Sequence, residues 1–375
     1  MENKAIEDII IVGSGPSGIS TALNLVKRSP ELSKKVLVLE AQKHPREKLC
    51  AGGMLNDGDY ILQRLGLDCN EVPHMKVNEA HFLFEGKGIH INRYPQSFKV
   101  FRRHEFDSWL VDQARKRGVR IQEETGVLEV KVTSDWVQLK TNKGDYFAKV
   151  VVGADGANSI IRRSFTDNSC QSIALEIFDD PKDGGKLENA YFDFSIIPEN
   201  VQGYIWQFPT QENRRALTTR GIFDGRVLQR RRPNIKNMLA NYLSNQNLDL
   251  SNFELKGKPI RFFDPKGSIS SPRILLVGDA AGVDPIYGEG ISFALGYGEV
   301  AAEEIEKAFL NKDFSFNNYL NTVLHSSMGR CLKRRLFVAR LLYRFNCRFV
   351  QRLLWWQLGF VLKWYIEHRL IDWAK

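Results

Sequence analysis

The stretch Asp8-Ile9-Ile10-Ile11-Val12-Gly13-Ser14-Gly15-Pro16-Ser17-Gly18 decides how the chain begins to fold. An apolar run fit for a buried parallel strand passes into a glycine-rich turn, and Ile19 to Lys27 then carries a helical pattern. In such a strand-turn-helix unit the first glycine permits the tight turn. The second, Gly15, lets backbone approach a pyrophosphate, and the third, Gly18, lets helix and strand pack closely, with phosphates at the helix N-terminus beside Pro16 and Ser17. A second apolar strand, Val36 to Leu39, ends in Glu40, 22 residues after Gly18. An acid at that place accepts hydrogen bonds from ribose hydroxyls and repels a 2′-phosphate. NAD or FAD is therefore expected, and NADP is not.

At 375 residues the chain is long enough for two domains. Its first apolar run is already the nucleotide strand, so no secretory segment is read at the start and a cytoplasmic location is expected. Five cysteines without a C-x-x-C pair argue against zinc ribbons, iron–sulfur ligation and a disulfide framework, and no metal site is expected. Cys331 and Cys347 remain able to pair if two terminal helices face each other. The net charge of +9 is local: Ser326 to Lys375 holds eleven Lys or Arg against two acids, and the preceding 325 residues hold 42 of each sign.

Beyond Glu40, the loop Lys48-Leu49-Cys50-Ala51-Gly52-Gly53 has paired glycines that allow backbone close to a flat ligand. A helix is expected from Leu55 to Leu65, strands between Lys76 and Phe101, and a helix from Arg103 to about Lys116. Strands at 119–121, 126–132, 136–141 and 147–152 follow, the last ending in Gly153-Ala154-Asp155-Gly156. From Cys170 to Arg220 the pattern is that of an antiparallel sheet. Arg226, Arg230, Arg231 and Arg232 read as the solvated entrance of a helix from Ile235 to Leu243. Near residue 270 the pattern returns to α/β, with a strand Arg273 to Val277, the turn Gly278-Asp279, and a helix opening at Gly288-Glu289-Gly290-Ile291. The chain thus re-enters its first domain.

Three blocks in this order, around Gly13–Gly18, Gly153–Gly156 and Gly278-Asp279, resemble the p-hydroxybenzoate hydroxylase-like flavoproteins. Within them, Lys48 to Gly53 and Tyr204-Ile205-Trp206-Gln207-Phe208-Pro209 look like the two marks of the geranylgeranyl reductase family. The resemblance covers about residues 8 to 310. Ala51 departs from it, standing where many relatives carry glycine, and leaves the substrate open. The resemblance implies an α/β fold with a glutathione reductase-like, Rossmann-type FAD-binding domain (1–75, 100–165, 272–325). It implies an antiparallel substrate domain (76–99, 166–271) and leaves a helical tail (326–375). By it, Arg103 sits against the flavin's sugar chain, Val127 meets the adenine, and Asp279 bonds the ribityl or pyrophosphate region. Gly290 and Ile291 offer backbone N–H groups to the ring. Lys48, Cys50, Ala51 and Gly52 border the cofactor, and Asp155 is either a direct contact or structural. A helix N-terminus aimed at the ring stabilises an anionic reduced flavin.

Cys50 reads as a proton donor, a shaping group or a small buried hydrophobe. Tyr204, Trp206 and Phe208 alternate, so in a strand they share one face, as an apolar slot or as plain sheet core. A hydrocarbon chain in that slot places a C=C bond so that hydride from FAD goes to one carbon while a proton reaches the other. No second G-x-G-x-x-G is present for nicotinamide, so NAD(P)H binds transiently or a ferredoxin-like protein supplies electrons. An FAD monooxygenase of a lipophilic or aromatic substrate is the alternative, and a non-catalytic membrane flavoprotein the third reading. A halogenase is disfavoured, because tryptophan-x-tryptophan is expected where Tyr204 and Trp206 stand.

In the tail, Arg340, Arg344, Arg348 and Arg352 recur every four residues. Val338, Leu342, Phe345, Phe349, Leu353 and Trp356 fall on one arc of a helix at about 100° per residue. The arginine ladder drifts toward that arc, which implies a bend or partial packing on the body. Only ten uncharged residues separate Arg352 from Lys363, short of the roughly 20 a spanning helix needs. The tail is expected to lie on a membrane surface, its tryptophans at the headgroups and its arginines on anionic lipid. Its bulky aliphatics leave little surface for nucleic acid.

Overall fold

The computed structural model of the protein describes residues 6–166, 171–181 and 188–375. Cys170, where the antiparallel pattern begins, lies outside the described residues.

The opening apolar run forms the strand Ile6–Val12, paired in parallel with Val36–Leu39 on one side and Gly144–Gly153 on the other. Arg120–Gln122 and Ile274–Leu276 extend the parallel set. Ile9, Ile10 and Ile11 are fully buried because helices cover the sheet, which is why the run is continuous rather than alternating. The helix Pro16–Arg28 packs against the long helix Ile291–Asn311, where Ser20 Oγ donates to the Leu295 carbonyl at 2.6 Å. A Cβ at Gly18 would stand 2.0 Å from the Gly13 carbonyl oxygen, so the turn closes to a distance only glycine allows.

A seven-stranded sheet runs in the order Lys256–Arg261, Gln171–Asp179, Arg215–Asp224, Gly203–Glu212, Asn189–Asp193, Glu79–Phe84, Lys87–Asn92. It is not purely antiparallel as expected: Asn189–Asp193 pairs in parallel with Glu79–Phe84, because two distant parts of the chain meet there rather than a hairpin. The remainder of the 76–99 region goes elsewhere. His74–Val77 and Phe98–Phe101 join Gly53–Leu55 in a small third sheet.

The tail corrects the expectation of one amphipathic stripe. The helix Ser327–Arg344 ends, and Arg348–Arg352, Gly359–Tyr365 and two π-helical turns, Leu353–Gln357 and Ile366–Leu370, wrap back over the body. The Gln351 side-chain amide donates to the carbonyls of Leu342 and Phe345 at 3.1 and 2.7 Å, satisfying groups the broken helix releases. Across the break the stripe divides. Leu342 is buried and Val338 and Trp356 pack inward, whereas Phe345, Phe349 and Leu353 are exposed. The arginine ladder also divides: Arg348 and Arg352 both clasp Glu85, at 2.8 and 2.6 Å. Arg230, from the cluster read as a solvated helix entrance, donates to the Arg344 carbonyl. Cys331 and Cys347 do not pair. The first is buried with its thiol on the Leu370 carbonyl, and the second is an exposed free thiol. Among the described residues, no helix is long and apolar enough to cross a membrane.

Arg335 pins this arrangement. Fully buried, it meets Asp284 Oδ2 at 2.5 Å and donates from Nε and Nη2 to the Leu370 carbonyl, its guanidinium lying between the rings of Tyr287 and Phe293. Replacing Arg335 by Met leaves the Asp284 carboxylate buried and uncompensated. The expected loss is about 3–5 kcal/mol in urea unfolding, with much of it recovered when Asp284→Asn is added.

Candidate functional site

Val12, Leu39 and Gly153 end side by side, and the glycine turn there opens onto the N-terminus of the helix Pro16–Arg28. A cavity of about 460 Å³ runs from this switch of direction to the aromatic face of the seven-stranded sheet. Each site residue expected from the sequence lines it except Gly18, which is taken up by the turn-to-strand contact.

At the polar end, Glu40 is buried and accepts from Ser14 N at 2.9 Å, Ser14 Oγ at 2.6 Å and Gln42 N at 3.1 Å. Burial pushes its carboxyl up, but Arg46 and the Ser14 bonds outweigh this and hold it below the usual range. Arg103, expected on the sugar chain, is held in a two-point bond by buried Asp107 at 2.8 and 2.9 Å. Lys258 stands 3.6 Å from Asp279. Lys48, half-buried beside them, is pushed down to about 7, first by the charge of Lys258 and then by desolvation. Among the described residues, Lys48 is the cation of this cluster with no carboxylate bonded to it, and it stands ready to meet an anionic ligand. Asp155 Oδ2 accepts from the backbone of Ile160 and Ile161 at 2.7 and 3.2 Å, a cap on the short helix Ile160–Arg163. Its other oxygen is buried without a protein partner among the described residues. Gly290 caps the 21-residue helix Ile291–Asn311, whose N-terminus faces the cavity. The glycine turn, the acid at the second strand and this cationic cluster together fit FAD.

At the apolar end, the strand Gly203–Glu212 sets Tyr204, Trp206 and Phe208 on one face. The Trp206 indole lies over Gly221, where a Cβ would come within 2.3 Å of the ring. Its N–H donates to Thr219 Oγ1, and Tyr204 O–H donates to the Tyr287 carbonyl at 2.5 Å. Phe82 and Phe192, cross-strand partners at the parallel junction, stack at 4.6 Å and complete the slot with Phe98. Ile366 and Ile371 bring the tail into the same lining.

Cys50 sits where the two ends meet. Its N–H donates to Glu176 Oε1 at 3.2 Å, and its sulfur accepts from Gly52 N at 3.4 Å. Glu176 is 2% exposed, and burial pushes its carboxyl up to about 7. It also borders a second cavity of about 230 Å³ with Arg102, His104 and Lys256. Glu289, bonded to Ser292 N at 2.8 Å, is likewise raised to about 7 by burial. Sequence reasoning passed over Glu176, Glu289, Phe82 and Phe192. The alternation of buried positions in 79–84 and 189–193 was the available signal for the two phenylalanines.

Residues 7–296 match a family described as an FAD binding domain. A digeranylgeranylglycerophospholipid reductase of Methanosarcina acetivorans is 26% identical over 328 residues, covering 83% of this chain and 78% of the relative. A menaquinone reductase of Mycolicibacterium smegmatis is 25% identical over 372 residues, covering 90% and 85%. Among solved structures, a geranylgeranyl bacteriochlorophyll reductase-like protein from Thermoplasma acidophilum superposes with a TM-score of 0.76 at 22% identity, over 99% of this chain and 93% of that one. The halogenase PltM shares the fold with a TM-score of 0.72 at 13% identity, over 96% and 84%.

A neutral Lys48 regains its proton when an anionic ligand arrives. FAD binding is therefore expected to take up a proton above pH 7 and to weaken as pH rises further. Calorimetry in buffers of different ionisation enthalpy measures that uptake, and Lys48→Gln is expected to abolish it.

Proposed function

This chain belongs to the geranylgeranyl reductase family of FAD-dependent oxidoreductases, and from that premise we propose that it hydrogenates C=C bonds of an isoprenoid chain. The chain would be carried by a lipid, a pigment precursor or a quinone, presented at a membrane surface. One observation supports this reading above the others: an aromatic slot built by Phe82, Phe192, Tyr204, Trp206 and Phe208 continues directly from the dinucleotide cavity. Its wall is hydrocarbon, so it takes a substrate without polar groups at the reacting bond and keeps water away.

Reduced FAD, when bound, supplies the hydride, and NAD(P)H or a ferredoxin-like protein supplies its electrons from outside. The protein's own tasks are positioning and the proton. Packing of the slot residues holds the prenyl chain in one orientation, which removes much of the entropic barrier. Hydride goes to one carbon, and the second carbon takes a proton from Cys50. Glu176, protonated up to about pH 7 and bonded to the Cys50 backbone, restores that proton from the side cavity. Asp155 and Glu40 hold the turns that frame the dinucleotide, and Gly290 and Ile291 present the helix N-terminus to it.

The outer surface of the tail supports docking on a bilayer. Phe337, Leu341, Phe345, Phe349, Phe360 and Trp364 are exposed, Phe349 by 76% and Phe360 by 74%. Lys333, Arg334, Arg340, Arg344 and Arg369 are exposed among them, which suits anionic headgroups. Charge and hydrocarbon are thus both exposed on the segment that also lines the slot through Ile366 and Ile371.

Incubating the reduced protein with geranylgeranyl lipids is expected to give products heavier by one or more pairs of hydrogens in mass spectrometry. No such product with any prenyl lipid or quinone would sink the reading, and a product heavier by one oxygen would establish the monooxygenase instead. Cys50→Ala is expected to lower kcat roughly 100-fold with KM and flavin content kept. In the parent enzyme the rate is expected to fall as pH rises through about 7, and Glu176→Gln is expected to remove that limb. Phe349→Glu combined with Phe360→Glu is expected to release the protein from anionic vesicles in a sedimentation assay without loss of flavin.

A further inference from the structure

On the side of the seven-stranded sheet away from the slot, three side chains that play no part in the reaction converge. Glu79 and His81 are two apart in the strand Glu79–Phe84, so they share a face, while Ala80 and Phe82 point into the cavity. His90 lies directly across from His81 in the antiparallel register. The two Nδ1 atoms stand 2.6 Å apart, and His81 Nε2 is 3.2 Å from Glu79 Oε2. Two imidazole nitrogens at that distance cannot both present lone pairs or both present N–H groups. One imidazole donates an N–H to the lone pair of the other, and the two nitrogens are close enough for a small outward turn of the exposed His90 to let one cation take the place of that proton.

A ligand atom from each of the three residues lies within 4.8 Å of the other two. Tetrahedral ligands at about 2.1 Å from zinc sit roughly 3.4 Å apart, a difference that rotation of the long Glu79 and exposed His90 side chains covers. The His81 ring is already oriented, stacked on Tyr191 of the adjoining strand at 4.7 Å. Two imidazoles and a carboxylate are donors suited to zinc and its neighbours rather than to magnesium or calcium.

We propose that Glu79, His81 and His90 form a site for one divalent transition cation of the zinc class, with a fourth position left to water. The site ties Lys87–Asn92, the edge strand of its sheet, to its neighbour. On the reverse of the same two strands lie Ala80, Phe82 and Ile91, which line the slot. A bound ion therefore stiffens a wall of the slot without touching the reacting groups. The expectation of no metal rested on cysteine spacing, and such spacing carries no information about a cross-strand histidine pair.

The test uses the FAD-loaded full-length protein titrated with zinc chloride in a calorimeter, alongside thermal unfolding with and without the ion. One saturable equivalent and a rise in Tm are expected. His90→Gln and Glu79→Gln should each weaken binding at least about tenfold and remove the Tm rise, with the flavin absorbance unchanged as the check on folding. Absence of saturable uptake would overturn the proposal and leave the two histidines sharing a proton. So would equal uptake by His90→Gln and the parent, which would place the ion elsewhere.

Discussion

The ion pair of Arg335 and Asp284 is the constraint on which the arrangement of the site depends. Neither group reaches water, so each needs the other: burial opposes the charge of Arg335, and Asp284 more than restores it. Asp284 belongs to the loop leading to Gly288-Glu289-Gly290, Arg335 to the first tail helix, and the accepting Leu370 carbonyl to the end of the chain. Three stretches distant in sequence are thereby held as one unit. Asp57 adds to this by accepting from the backbone of Asp372 and Ala374, and Arg93 pairs with Asp372. The tail is thus a structural roof over the slot as well as a surface.

The cavity beneath that roof divides by chemistry. One end gathers Lys48, Lys258, Arg103 and Asp279, where charge attracts charge in a medium of low dielectric. The other is aromatic and makes almost no polar demand on what enters it. Cys50 and Glu176 occupy the boundary between the two ends. Burial raises the Glu176 carboxyl to about 7, so near neutral pH it holds its proton about half of the time.

Legibility followed the range of the interactions. The glycine turn, the acid of Glu40 and the helix opening at Gly290 could be read because each rests on contacts within a few residues of one strand-turn-helix unit. Tyr204, Trp206 and Phe208 could be placed on one face because a strand has a period of two. Glu176 could not be found beside Cys50, because 126 residues separate them and only the docking of the second sheet brings them together. The drift of the tail's arginines announced a bend and packing on the body, but the single apolar stripe was misread for a related reason. A helical wheel assumes one straight helix, whereas the break held by Gln351 divides the stripe and leaves Phe345, Phe349 and Leu353 exposed.

The sequence by itself determined the dinucleotide-binding unit, the apolar strand of the slot and the concentration of positive charge in the last fifty residues, because local backbone preference and side-chain periodicity are written residue by residue. Tertiary structure alone decided which strands meet in parallel, which arginines are spent on Asp284 and Glu85, and that Glu79, His81 and His90 face one another. Those outcomes depend on register and packing between segments remote in the chain, and no local pattern encodes the distance at which two such segments come to rest.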